Sequence, residues 1–301
     1  MGSGLEELTI AAPAKINLYL RVLRRRPDGY HEIESVMQKL LLADELSLRR
    51  QEHGIALECS DPGLPVGEDN LVWRAARLFL EYIGSSGGVL IRLEKKIPVA
   101  AGLGGGSSDA AAVLLALNQL FAAGLSEGQL AELGVRLGAD VPFFVRSEAA
   151  YSARGIGELL APVPGLTGGY VLLVNPGFAV STRWVYENLA LTSRGNPYIL
   201  APNSGALTSG NSGPESIDFH TAPQACFVND LEAVTIASHP VIGEIKQALV
   251  DFGARVALMS GSGPTVFGCF LRFSEAQSAC RHFQNIYPDK VFLTEPRLLE
   301  L

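Results

Sequence analysis

Near the middle of its first half the chain runs Pro98-Val99-Ala100-Ala101-Gly102-Leu103-Gly104-Gly105-Gly106-Ser107-Ser108, after a short strand-like segment (89–93) and before an Ala/Leu-rich stretch that continues to about Phe121. This glycine run constrains the fold most strongly. A helix N-terminus offers unpaired backbone N–H groups and the positive end of the helix dipole, and glycines let that backbone wrap a phosphate without Cβ interference. The expected ligand is therefore a di- or triphosphate. Two familiar phosphate loops do not fit. A Walker A loop needs a Lys after its glycines, and none follows here; a Rossmann fingerprint needs GxGxxG directly after a strand, whereas Pro98 intervenes and the pattern runs into Ser107. A mobile glycine linker is the competing reading, and the immediate start of a long helix counts against it.

The length of 301 residues suggests about two domains, and 48% apolar residues suffice for a core in each. With 24 basic and 31 acidic residues the net charge is −7, which excludes nucleic acid as a partner attracted by bulk charge but leaves room for one local phosphate-binding cleft. Cys59, Cys226, Cys269 and Cys280 have no CxxC spacing and read as reduced core thiols. The histidines at 31, 53, 220, 239 and 282 form no zinc pattern, so no protein-held metal site is expected. The most apolar stretch, 110–117, is followed by Asn118 and Gln119 and falls short of the roughly 20 residues a membrane span requires. Structured sequence is expected from about Leu8, without a signal or transit peptide, and the expected compartment is the cytoplasm.

Along the chain, 8–50 reads as strands broken by a reversal at Pro27-Asp28-Gly29, with Ile16, Leu18 and Leu20 alternating with Lys15, Asn17 and Tyr19. Asn70 precedes a helix whose apolar face is Leu71, Ala75, Leu78, Phe79 and Tyr82 and which stops near Gly84. A capping box of Ser126 with Gln129 starts a helix ending at Gly138. In the second half a helix runs from Pro240 to Gly253, strands cover 255–259 and 265–271, Ser274 with Gln277 caps another helix, and 290–294 closes as a strand. The Asn/Ser/Gly/Pro-rich segment 193–216 reads as a flexible surface insertion.

Four further segments could carry chemistry. Lys15 and Asn17 occupy one face of an otherwise apolar strand, either as a solvated edge or as polar groups in a site. Asp28-Gly29-Tyr30-His31 is a hairpin signature that sets an aromatic ring beside an imidazole. Gly138-Ala139-Asp140-Val141-Pro142 places an acid just past a helix end, as a turn former or as a carboxylate in a cleft. Ser260-Gly261-Ser262-Gly263-Pro264 is a tight hairpin or a second glycine surface facing the phosphates.

In their order and spacing, Pro13-Ala14-Lys15-Ile16-Asn17-Leu18, Pro27-Asp28-Gly29-Tyr30-His31, the glycine loop, Leu137-Gly138-Ala139-Asp140-Val141-Pro142 and Gly261-Ser262-Gly263 resemble the GHMP small-molecule kinase superfamily. Within it they resemble most the branch acting on a cytidine diphosphate-linked methylerythritol, and the likeness extends from about Leu8 to Leu293. The resemblance implies a two-domain α+β architecture. Residues 1–160 would be the ATP-binding domain, with a mixed β-sheet, helices and the glycine loop; residues 161–301 would be a ferredoxin-like α/β sandwich, with the active site in the cleft between them. It implies an enzyme that transfers phosphate from ATP, with Mg²⁺, to the 2-hydroxyl of that small molecule on the way to isoprenoid precursors. Residues 98–108 would wrap the ATP phosphates, with Asn70 and Lys95 near the nucleotide. Asp140 would be the base, and Lys15 would orient the hydroxyl and the transferring phosphate. Asn17, Gly261, Ser262 and Gly263 would contact the substrate. Tyr30 would stack on the cytosine, His31 would hydrogen-bond its edge, and Tyr186 would be the second stacking aromatic. The loop has Ala100-Ala101 where the family often has glycine. A mevalonate, homoserine or sugar kinase, or a non-catalytic ligand sensor, are the alternatives; Tyr30 with His31 argues against the first group and Lys15 with Asp140 against the second. A monomer or weak homodimer, without nucleic-acid or membrane partners, completes the expectation.

Overall fold

The computed structural model describes residues 5–189, 216–218 and 227–298. Expectations placed on residues 193–215, His220 and Cys226 lie outside them. The described residues form two compact units, one drawn from residues 5–14, Leu42–Val99 and Gly104–Ser147, the other from Lys15–Leu41, Ala100–Leu103 and those described from Glu148 onward. Two long strands, β1 (Glu7–Arg25) and β2 (His31–Gln51), contribute to both. They meet in the expected reversal, where Arg26 N–H donates to the Tyr30 carbonyl and Gly29 sits at a φ of +88°, a conformation that favours glycine.

In the first unit, β3 (Ile55–Cys59) leads to α1 (Leu71–Tyr82), which Asn70 caps by accepting from the Val72 N–H. The buried stripe of α1 is Val72, Ala75, Ala76, Leu78, Phe79 and Leu80; Tyr82, expected inside, is exposed, so the face is rotated from the sequence reading. Strand β4 (Gly88–Glu94) pairs antiparallel with β2 and parallel with β3. Helix α2 (Gly105–Leu120) follows the glycine loop and is buried almost all round, as its Ala, Val and Leu content requires, under α1, α3 (Glu127–Val135) and α4 (Val141–Val145). The capping box at Ser126 forms as expected, but α3 ends at Val135, and Leu137 and Gly138 form a turn closed by N–H bonds to the Gly134 carbonyl. The five-residue α4, unread from sequence, starts with Pro142 near its N-terminus and is wholly buried.

The second unit adds β5 (Ala150–Gly155), β6 (Leu159–Pro162), β7 (Gly165–Thr167), β8 (Tyr170–Val174), α5 (Thr182–Glu187), β9 (Ser216–Asp218) and β10 (Val228–Asn229). It continues with α6 (Glu232–Ser238), α7 (Val241–Asp251), β11 (Val256–Met259), β12 (Val266–Phe270), α8 (Phe273–Ile286) and β13 (Val291–Thr294). Within it β2 pairs antiparallel with β5, and β1 pairs parallel with β10 at Tyr19 and Leu20. A separate antiparallel sheet has the order β11-β12-β8-β13. With α7 after β8 and α8 after β12 this is the ferredoxin-like arrangement. Its core gathers Val174, Leu249, Met259, Val266, Phe270 and Phe283. The helix at 273 is not capped by Ser274. Arg272 occupies the cap position without a side-chain bond, and the Ser274 carbonyl accepts from Ser278 Oγ inside the helix. Cys269 and Cys280 are buried free thiols as expected, whereas Cys59 is only half-buried. Phe270→Ala should cost about 3–5 kcal/mol of unfolding free energy through the cavity it leaves, measured as a lower denaturant midpoint; a loss below about 1 kcal/mol would contradict this core.

Candidate active site

The glycine loop is shaped by what touches it. Gly102 has a φ of +76°, its carbonyl accepts from Ser260 Oγ at 3.0 Å, and a Cβ on it would lie 2.2 Å from the Ser260 carbonyl oxygen, so only glycine fits. The Leu103 carbonyl accepts from the Lys15 N–H at 2.9 Å. Helix α2 then begins at Gly105, and its first-turn amides, from Gly105, Gly106 and Ser107, are those a helix leaves without intrahelical acceptors. Gly106 and Val99 are exposed, Pro98, Gly104, Gly105 and Ser107 half-buried, and Ala101 and Leu103 point inward, so these last two can offer a ligand only backbone. Ser108 Oγ is buried without a partner. Ala100 takes a φ of +52°, unfavourable for a residue with a Cβ.

Lys95 lies at the loop entrance, its side chain 7% exposed, with Nζ 2.5 Å from Asp44 and 2.8 Å from Asp109. Burial alone would lower its pKa, but the two carboxylates outweigh that and raise it. Burial lifts the Asp109 carboxyl to about 7, opposed by Lys95 and reinforced by Asp44. A Cβ on Gly105 would lie 3.3 Å from Lys95 Nζ, so the ammonium sits directly under the first residue of α2. Asn70 is spent on structure: Oδ1 caps α1 and Nδ2 donates to the Pro65 carbonyl. These bonds use one of the two lone pairs of Oδ1 and one of the two hydrogens of Nδ2. Sequence reading missed Asp44 and Asp109; an acid beside Glu45 in a strand and another near the start of a helix give no signal until their shared partner is known.

Lys15 and Asn17, 5% and 3% exposed, are not a solvated edge: the centre of β1 is buried on both faces. Lys15 Nζ donates to Asn17 Oδ1 at 2.6 Å, Asn17 Nδ2 to Ser35 Oγ at 2.9 Å, and Ser35 Oγ to the Tyr19 carbonyl at 2.7 Å. A Cβ on Gly261 would stand 3.5 Å from both Lys15 Nζ and Asn17 Oδ1, so the 260–264 turn covers these polar groups and is more than a hairpin. Asn229 Nδ2 ties that turn down through the Met259 and Gly261 carbonyls, and Ser262 Oγ shares a hydrogen bond of 2.7 Å with Thr182 Oγ1 at the start of α5. Gly263, in the same turn, has a φ of +86°.

Helix α5 carries Tyr186 to the 28–31 turn. Tyr186 stacks on His31 with ring centroids 5.1 Å apart, and both line a cavity of about 570 Å³ with Tyr30, Arg25, Thr182 and Arg183. Tyr30 is 61% exposed, so its ring is available to a ligand. Burial, then the Arg25 charge, lowers the His31 pKa, and the neutral ring can both donate and accept a hydrogen bond. Asp140 stands at the N-cap position of α4, half-buried, with its side chain not used for capping. The turn leading to it passes the loop: a Cβ on Gly138 would lie 4.0 Å from Ser107 Oγ. Among the described residues no group of three or more His, Cys, Asp or Glu could hold a metal ion.

The glycine loop before α2 and the ferredoxin-like sheet agree with two family models of the GHMP class of small-molecule kinases. "GHMP kinases N terminal domain" matches residues 70–148 and "GHMP kinases C terminal" residues 217–289. A 4-diphosphocytidyl-2-C-methyl-D-erythritol kinase of Geobacter metallireducens is 47% identical over 282 residues, 93% of this chain and 95% of that one. A solved structure of a 4-(cytidine 5′-diphospho)-2C-methyl-D-erythritol kinase is 36% identical with a TM-score of 0.78, covering 96% of this chain and 99% of that one. A homoserine kinase from Cytophaga hutchinsonii, 20% identical with a TM-score of 0.76 over 99% and 98% of the two chains, shares the fold. The chain belongs to the 4-diphosphocytidyl-2-C-methyl-D-erythritol kinase family.

Gly102→Ala should lower kcat/KM for ATP at least tenfold, because the loop must move off Ser260; Ala100→Gly should hold or raise Tm by relieving about 1 kcal/mol of backbone strain. Steady-state kinetics and thermal unfolding check both, and a silent Gly102→Ala would contradict the geometry.

Proposed function

We propose that this chain transfers the terminal phosphoryl group of ATP to the 2-hydroxyl of 4-(cytidine 5′-diphospho)-2-C-methyl-D-erythritol, a step toward isoprenoid precursors in the methylerythritol phosphate pathway. The observation that carries the choice of substrate is the cavity shared by Tyr30, His31 and Tyr186, which suits a pyrimidine and has no use in a mevalonate or homoserine kinase. Tyr30 stacks on the cytosine, His31 reads its edge, and Tyr186 supports the stack from the imidazole side. In this reading residues 1–160 are the ATP-binding domain and residues 161–301 the second kinase domain.

Phosphoryl transfer needs positioning and charge neutralisation more than covalent chemistry. The amides of residues 98–108 hold the polyphosphate, with Lys95 and Asn70 toward the nucleotide. Asp140 accepts the proton of the 2-hydroxyl as its oxygen bonds to the γ-phosphorus and the bond to the ADP oxygen breaks. Lys15, oriented by Asn17, holds the hydroxyl and the transferring group, while Gly261, Ser262 and Gly263 close over the substrate. Mg²⁺ bound with ATP supplies charge neutralisation; Ser108 Oγ, buried and unpartnered at the head of α2, is a hard oxygen donor of the kind it favours. We place the enzyme in the cytoplasm, where the free thiols Cys59, Cys269 and Cys280 stay reduced, and as one chain carries every residue named, a monomer or weak homodimer suffices.

Asp140→Asn should lower kcat at least about 100-fold while the ATP dissociation constant changes less than about threefold; unchanged turnover removes Asp140 from the base role. Tyr30→Ala should raise KM for the cytidylyl substrate about tenfold, and an effect confined to ATP would refute the stacking assignment. Because the His31 pKa is lowered, its ring is neutral at pH 7, so KM for that substrate should be flat above about pH 7 and rise only on acidification below the ordinary histidine value of about 6.5. A rise centred above pH 7 in the pH–KM profile would exclude a neutral His31.

A further inference from the structure

The glycine loop leaves β4 at Glu94 and enters α2 at Gly105, and one carboxylate governs its departure. Asp44, on β2 and 0% exposed, accepts from the backbone N–H of Lys96 at 2.5 Å and of Ile97 at 2.8 Å through Oδ1, and from Lys95 Nζ through Oδ2. The next residue is Pro98, which begins the loop and has no N–H of its own. Lys95 Nζ then reaches Asp109 Oδ2, past the far end of the loop. The same ammonium therefore ties the segment entering the loop to the helix leaving it, and Asp44 fixes both that ammonium and the two amides beside it.

We infer that Asp44 is a positioning residue for ATP: it sets the direction of the chain at Lys95, Lys96 and Ile97, and so the curvature of the loop whose amides meet the phosphates, without touching the nucleotide itself. This rests on reading residues 98–108 as the ATP-phosphate site. The charge arrangement supports it. Burial opposes the charge on Lys95, but the Asp109 and Asp44 carboxylates outweigh it and raise its pKa, so the ammonium joining the two ends of the loop is kept charged. The neighbouring bond from the Lys95 N–H to Ser60 Oγ, at 2.8 Å, tethers the same segment but carries no charge and reaches neither later amide.

The test is steady-state kinetics of the full-length enzyme with ATP and the cytidylyl alcohol varied separately. Asp44→Asn should raise KM for ATP about tenfold and leave KM for the alcohol within twofold, while Ser60→Ala should leave both within twofold. Should Asp44→Asn not accumulate as folded protein, Asp44→Glu, which keeps the charge but moves the carboxylate by one methylene, is read in the same way and should raise KM for ATP at least threefold. An ATP KM within twofold of the parent in a folded Asp44 variant overturns the inference. Equal rises in both KM values, or an equal rise for ATP in Ser60→Ala, also overturn it, since they signify general loosening. Failure of the parent enzyme to use ATP with this alcohol would instead overturn the proposed function.

Discussion

A loop built largely of glycine and alanine cannot hold itself in shape with its own side chains, and much of the surrounding structure answers that constraint. The middle of the loop rests on one close approach, the Gly102 backbone against the Ser260 carbonyl, which leaves no room for a Cβ. Around it stand the Ser260 hydroxyl on the Gly102 carbonyl and the Lys15 amide on the Leu103 carbonyl. Its entrance and exit are held by Asp44 and Lys95, and by Lys95 and Asp109. Every one of these holders is buried or main-chain, which keeps water from competing for the bonds and makes each worth more than the same contact on the surface.

The same economy of parts links the loop to the aromatic cavity. The turn at 260–264 supports Gly102 with one serine and, with the next, meets Thr182 at the head of the helix carrying Tyr186. Asn229 anchors the turn through the main-chain carbonyls of Met259 and Gly261. The turn is therefore bonded both to the glycine loop and to the helix that lines the aromatic cavity, so a displacement of it reaches both.

Much of this was legible in the sequence where a local rule applies. The glycine run, the Asn70 and Ser126 caps, the 27–29 reversal and the paired strands of the second half each follow from a residue type with a fixed backbone preference. The resemblance singled out Lys15, Asn17, Tyr30, His31 and Tyr186, and the structure brings the first two together in one network and the last three into one cavity. What sequence could not supply is long-range. Asp44 and Lys95 are 51 residues apart, Asn17 and Ser35 18 apart, and Thr182 and Ser262 80 apart. No periodicity joins such pairs. Local reading also erred where packing overrode it: α1 turned its buried face away from Tyr82, α3 stopped at Val135, and α8 began without the serine that seemed placed to cap it.

The central claim is that a pyrimidine-reading cavity and a bare-backbone phosphate loop serve one transfer to a cytidylyl alcohol. The most direct measurement offers the enzyme ATP and Mg²⁺ with a panel comprising 4-(cytidine 5′-diphospho)-2-C-methyl-D-erythritol, mevalonate, homoserine and galactose, and locates the new phosphate by ³¹P NMR. Phosphorylation of the cytidylyl alcohol alone, at its 2-hydroxyl, is the result this account predicts. Turnover of mevalonate, homoserine or the sugar at a comparable rate, or a phosphate at another hydroxyl, would contradict it.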